Sequence, residues 1–249
     1  MLPPVVPLPP WAPRVLLSRL PDDPLATALA AAGAIVTAVP LTRVTPAPPE
    51  ELRRVALALR EGFDWIAMTS ATTVALLADY GLGEAAARLA AVGPATARAL
   101  TEAGFVVARR PEVGSGGAAL AAAWPTGAGR VAIPGARDSA PALAEGLRAK
   151  GWTVTAFPVY DVAPVPRVDP AVAAAWLAGE LDVFLVTAGS VARAARALLG
   201  PGGPPVIALG EPSARAAREA DFHVHGISGD ADPAAVVAAL ESFVQGDPR

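Results

Sequence analysis

The chain has 249 residues, 53% apolar and 17% charged, a composition that excludes an intrinsically disordered protein. Its 20 Lys and Arg against 23 Asp and Glu leave a formal charge of −3, so no global positive field draws it to nucleic acid. The absence of cysteine removes disulfides, thiol nucleophiles and Cys-zinc sites, and Lys150 alone is open to Schiff-base chemistry.

In chain order, residues 1–13 (MLPPVVPLPPWAP) are apolar but lack a basic leader and are broken by proline, so they read as an extended tail. The span from Pro24 to Thr42 carries no charge, yet Gly33 and Pro40 interrupt it and Ala and Thr dominate over Leu. It reads as a small-residue helix, a glycine stop and a strand (AIVTAV), which predicts a cytoplasmic protein without membrane association. Short apolar runs (RVLLS, AIVTAV, WIAMT, LAAVG, FVVAR) alternate with Ala, Leu and Arg-rich stretches of helical length. That alternation predicts an α/β fold with a parallel sheet covered on both faces. Gly93-Pro94 places proline in a first helical turn, and Thr69-Ser70 and Ser213 are candidate helix caps.

The chain also resembles itself. Gly33, Val36-Thr37-Ala38 and Pro40 recur as Gly151, Val154-Thr155-Ala156 and Pro158, displaced by 151 − 33 = 118. Asp64–Ser70 (DWIAMTS) recurs as Asp182–Ala188 (DVFLVTA) at the same displacement. Residues 91–107 align with 208–224 at a displacement of 117, with nine identities in seventeen. Collinear matches at one offset indicate an internal duplication and hence two similar domains. Proline clusters at Pro40, Pro46, Pro48 and Pro49, and again at Pro158, Pro164, Pro166 and Pro170, both inside a repeat. A boundary at these clusters makes one domain discontinuous (1–41 and 163–249) and the other an insertion (42–162). A boundary in the Gly-rich segment 114–129 gives two sequential domains instead.

Few residues are equipped for chemistry. His223 and His225 share a strand face without a carboxylate at ligand spacing, so no metal is expected there. Gly114-Ser115-Gly116-Gly117 lacks the Lys of a phosphate loop and reads as a flexible loop. Four strand-to-helix turns carry hydroxyls: Thr69-Ser70, Gly93 to Thr96, Thr187 to Ser190, and Gly210 to Ser213. Singly each is a helix cap. Together, at the carboxyl ends of parallel strands, they would surround a cleft with amide and hydroxyl donors suited to a multiply anionic ligand. Arg19 and Arg137, each just after a first strand, add charge-assisted contacts or are plain surface arginines. Tyr160, one of two tyrosines, ends the strand FPVY and either packs or offers a phenol to that cleft.

These residues, in this order, resemble the uroporphyrinogen-III synthase family. The opening pattern corresponds to Ser18-Arg19-Leu20-Pro21 through Gly33, Pro40 and Leu41, followed by Asp64–Ser70, Val92–Gly104, Gly151–Tyr160 and Leu209–Ala214. Several positions depart from the family pattern. Ala188 replaces a hydroxyl, Thr72-Thr73 replaces Asn-Ala, Glu211-Pro212-Ser213 brings an acid, and Arg137 is the nearest match to a family arginine. The resemblance implies two flavodoxin-like domains joined by a two-stranded linker, and so favours the discontinuous division. It implies cyclisation of hydroxymethylbilane to uroporphyrinogen III with inversion of the terminal pyrrole ring, without a cofactor, by a monomer. The substrate's eight carboxylates would meet Arg19, Thr69, Ser70, Thr96, Arg137, Thr187, Ser190 and Ser213, and Tyr160 would be the proton donor. A non-catalytic two-domain binder of an anionic metabolite is the competing expectation, favoured by Ala188 and Glu211.

Overall fold

The structure, a computed structural model, describes residues 12–82, 86–139, 141–229 and 232–246. Most of the tail expected at 1–13 lies outside the described residues. The chain divides into two compact units, one running up to Arg43 and from Ala163 on, the other spanning Val44–Val162.

The first unit holds β1 (Arg14–Leu17), α1 (Pro24–Ala31) and β2 (Ile35–Ala38) before the chain leaves it. After the return come α7 (Pro170–Leu177), β9 (Val183–Val186), α8 (Gly189–Leu199), β10 (Val206–Ala208), α9 (Glu211–Glu219), β11 (Val224–Ile227) and α10 (Pro233–Gly246). The second unit is entered along β3 (Thr42–Pro46) and continues through α2 (Pro49–Arg60), β4 (Trp65–Met68), α3 (Ala71–Ala78), β5 (Arg88–Ala91) and α4 (Pro94–Glu102). It closes with β6 (Val107–Arg109), α5 (Gly117–Ala123), β7 (Arg130–Ala136), α6 (Ala142–Ala149) and β8 (Thr153–Pro164), along which the chain leaves.

The first sheet has the order β2-β1-β9-β10-β11 and the second β8-β7-β4-β5-β6, with β3 added beside β8. The paired strands β1/β2, β1/β9, β9/β10, β10/β11 and β7/β8, β7/β4, β4/β5, β5/β6 are parallel. Numbered along the chain within its own unit, the first sheet has the flavodoxin-like order 2-1-3-4-5, and the second, without its edge strand β3, has the circular permutation 5-4-1-2-3. Three matching strand pairs keep one spacing, 153 − 35 = 118 for β8 and β2, 183 − 65 = 118 for β9 and β4, 206 − 88 = 118 for β10 and β5, and the other two stay close, 130 − 14 = 116 for β7 and β1 and 224 − 107 = 117 for β11 and β6.

Continuous apolar runs form the central strands because helices cover both faces. In the first sheet Leu16, Phe184 and Val206 point to one apolar cluster, and Val15, Leu17, Val183 and Leu185 to another. The second sheet repeats this with Ile66 and Met68 against Trp65 and Ala67. α1 and α6 both end in a left-handed glycine, Gly33 at φ 93° and Gly151 at φ 94°, which turns the chain back into the next strand.

Proline opens α1, α2, α4 and α7, as its fixed φ and missing N–H allow. Ser70 caps α3, as its position suggests, but Ser213 does not cap α9. There Gly210 takes the extended cap conformation with Pro212 in the first turn, which leaves Ser213 as the third helical residue. Thr69 is likewise no cap, since Ser70 holds that position. The strand β3 carries too little apolar pattern to be read as one, because four of its five residues are exposed at the sheet edge.

Candidate functional site

In the second unit, three neighbouring strands deliver side chains to one carboxyl edge. β8 brings Tyr160, β7 ends in Gly135-Ala136 and is followed by Arg137, and β4 is followed by Thr69-Ser70. The Tyr160 hydroxyl lies 2.9 Å from Ser70 Oγ, a contact reaching across β7. The tyrosine ring belongs to the apolar cluster of this unit and keeps 8% of its surface exposed. Ser70 Oγ also accepts the Thr73 N–H at 3.0 Å, the usual capping bond, and lies 2.9 Å from Thr73 Oγ1.

The intervening strand is shaped for this reach. Thr69 donates to the Pro134 carbonyl at 3.1 Å, and a Cβ on Gly135 would strike Thr69 Oγ1. A glycine at 135 thus holds the Thr69-Ser70 turn against the strand. Arg137 is tied to the same edge: its N–H donates to the Tyr160 carbonyl at 3.0 Å, and its Nε donates to Asp161 Oδ1 at 2.9 Å. That ion pair is about half exposed on both sides, so solvent screens it. Thr96 is buried as the third residue of α4, after β5 on the same sheet.

In the first unit the expected residues follow the corresponding strands. Arg19 follows β1, half-exposed, with its Nε 3.9 Å from Asp23 Oδ2. Asp23 in turn accepts from the Leu25 N–H at 2.9 Å as the cap of α1. Thr187 and Ser190 are half-buried around the start of α8, whose cap is Ala188 with no side-chain bond. Ser213 is buried in the first turn of α9. The acid Glu211 accepts from Arg218 at 3.1 Å, which offsets its charge at that helix start.

Tyr160, Ser70, Thr69 and Arg137 are therefore gathered on one edge, with Thr96 on a neighbouring turn, while Arg19, Thr187, Ser190 and Ser213 belong to the other unit. Two participants escaped the sequence reading. Thr73 sits three residues after the cap Ser70, where capping partners belong, and Asp161 simply follows Tyr160. His223 and His225 are exposed, and the His225 ring packs edge-on against Phe243. Among the described residues no three possible metal ligands come together. A shallow recess of about 380 Å³ beside α4 and β6, lined in part by Arg98, Arg109 and Arg110, shares no residue with the hydroxyl cluster. No helix among the described residues is long and apolar enough to cross a membrane.

Comparison with known proteins places this arrangement. The family described as "Uroporphyrinogen-III synthase HemD" matches residues 23–238. No curated protein matches. A mutant uroporphyrinogen III synthase of the extreme thermophile Thermus thermophilus is similar in structure at 23% identity and TM-score 0.67, over 95% of this chain and 100% of that one. The wild-type enzyme of the same organism in another crystal form gives 24% identity and TM-score 0.51, over 94% and 99%. Uroporphyrinogen-III synthetase of Helicobacter pylori gives 16% and 0.58, over 94% and 100%. These likenesses establish the two-domain fold, and the family match spans most of the chain: it belongs to the uroporphyrinogen-III synthase family.

Proposed function

We propose that this chain is a lyase that converts hydroxymethylbilane into uroporphyrinogen III and water. The family match over residues 23–238 carries the reading. In this reaction the terminal hydroxymethyl C–O bond breaks, and a proton delivered to the departing oxygen makes water. The resulting electrophilic carbon is attacked at the substituted position of the terminal pyrrole, which gives a spiro intermediate. The bond from the spiro carbon to its original methylene bridge then breaks, and that methylene bonds to the free α-carbon of the same ring, which inverts the ring and closes the macrocycle. The proton lost from the closing pyrrole carbon balances the one given to the leaving oxygen, and no electron changes hands.

Tyr160 is the group we assign to the departing oxygen, a role supported by its hydrogen-bonded place beside Ser70 on a ligand-facing type of sheet edge. Carboxylates of the substrate suit Arg137, whose Nη groups remain beyond its Nε bond to Asp161, and the hydroxyls and helix N-termini of each domain: Thr69, Ser70 and Thr96 in one, Arg19, Thr187, Ser190 and Ser213 in the other. Most of the catalytic demand is orientation, because the wrong, uninverted ring closure is the spontaneous one. The reading has the protein act as a cofactor-free monomer in the cytoplasm.

Incubation with freshly generated hydroxymethylbilane tests this directly. Uroporphyrinogen III is the expected product. Exclusive formation of the type I isomer overturns the proposal, and tight binding of the bilane without turnover identifies a non-catalytic binder.

A further inference from the structure

The part-buried hydroxyl chain Thr73–Ser70–Tyr160 has a direction, and that direction decides where the tyrosine proton points. A serine hydroxyl offers one proton and two lone pairs. At Ser70 one lone pair takes the Thr73 N–H, so one proton and one lone pair remain for two neighbours, Thr73 Oγ1 and the Tyr160 hydroxyl, both at 2.9 Å. Ser70 must donate to one and accept from the other. In one direction Tyr160 donates into Ser70 and its proton is committed to the protein. In the other Thr73 donates to Ser70, Ser70 donates to Tyr160, and the phenol proton stays available to a ligand.

The surroundings of Thr73 choose between these. Thr73 is fully buried, and among the described residues its hydroxyl has a single hydrogen-bond partner, Ser70 Oγ. If Ser70 donated to it, the Thr73 proton would be a buried donor with no acceptor, whereas a spare lone pair is tolerated far better. The opposite choice leaves the unpaired proton on Tyr160, which keeps 8% of its surface exposed where Thr73 keeps none, so the low-energy direction is Thr73 to Ser70 to Tyr160.

We propose that Thr73 is a positioning residue that orients Ser70 so that the Tyr160 hydroxyl accepts from the protein and keeps its own proton for the substrate. The proposal rests on the reading of Tyr160 as the proton donor. Its position three residues beyond the helix cap makes it part of the α3 start, so the orientation is built into the fold.

The test uses the tyrosine Raman doublet, whose intensity ratio reports whether a phenol donates or accepts a hydrogen bond. Tyr80→Phe leaves Tyr160 as the only tyrosine, since the chain has two. In this background the doublet should be acceptor-type. Thr73→Val should swing it towards donor-type and lower kcat about tenfold at unchanged KM, a barrier higher by roughly 1.4 kcal/mol. Thr73→Ser should restore both. An unchanged doublet in Thr73→Val, or a Thr73→Ser variant that behaves like Thr73→Val, overturns the proposal even if Tyr160→Phe is slow. If the doublet swings while kcat is unaffected, the proton-donor role of Tyr160 fails instead and the hydrogen-bond direction stands.

Discussion

Tyr160 combines two demands that usually conflict: its ring must pack, and its hydroxyl must be held in a defined place. The ring belongs to the apolar cluster that includes Val159, Ile66 and Met68, while the hydroxyl meets Ser70 in the turn after β4. Packing fixes the rotamer and the serine fixes the oxygen, which is the preorganisation a proton donor needs. Tyr160→Phe should leave the circular dichroism spectrum intact, since the ring is preserved and only one hydrogen bond worth about 1 kcal/mol is lost. Its turnover of hydroxymethylbilane should fall about a hundredfold, the lower range for a lost general acid. An unchanged rate would remove Tyr160 from the chemistry.

Each sheet has the same clamp at its amino edge. Asp182, before β9, accepts the Arg14 N–H at 2.8 Å together with Nε and Nη2 of that arginine at 3.2 and 3.3 Å. Asp64, before β4, accepts the Arg130 N–H at 2.8 Å. The carboxylate of Asp182 raises the Arg14 guanidinium above its usual value, chiefly through their hydrogen bond. Burial separates the two clamps, for Asp182 is 3% exposed and Asp64 lies at the surface. Asp182→Ala should therefore cost about 2 kcal/mol and Asp64→Ala less than about 1 kcal/mol, read from urea midpoints.

A second pair of equivalent positions differs in backbone strain. Gly104 after α4 has φ 85°, and its counterpart after α9 is Asp221 at φ 62°, the one non-glycine with positive φ among the described residues. Aspartate tolerates that region better than most residues but less well than glycine. The exposed Arg196–Asp221 pair at 3.7 Å contributes little against it. Asp221→Gly should raise stability by about 0.5–1 kcal/mol, and a lower melting temperature would contradict this account.

At the scale of the molecule, four apolar clusters form among the described residues, two in each unit, and none of the four takes described residues from both units. In the first, Trp176, Phe184 and Phe222 pack edge to face at 5.6–5.9 Å. In the second, Trp124 packs against Trp65 and Trp152 at 5.1 and 6.2 Å. Phe222→Ala removes one ring of the first trio and should cost about 3–5 kcal/mol in that core. Hydrogen exchange should then show lost protection in β9 and β10 with β4 and β5 little changed. Equal loss in both sheets would mean that the cores unfold as one.

Much of this architecture is legible in the linear chain, because parallel central strands are short unbroken apolar runs and several helices, α1, α2, α3, α4 and α7 among them, begin with proline or a capping side chain. RVLL, WIAM and VFLV announce β1, β4 and β9 in this way, and Gly33 and Gly151 announce the turns that follow α1 and α6. The nearly constant spacing between equivalent strands, visible first as repeated motifs, is what a duplication of one domain would leave. The edge strand β3 was not legible, since an exposed strand lacks the apolar pattern that burial imposes.

Tertiary structure decided which residues meet. The linear order assigns Tyr160 and Ser70 to one cleft but does not reveal their direct contact across 90 residues or the part of Thr73. Their hydrogen bonds exist because β8 and β4 lie on either side of β7 and both deliver their ends to one edge. Local pattern reflects burial and backbone preference, which act over a few residues, whereas a hydroxyl chain across a sheet depends on strand order, register and the space left by Gly135.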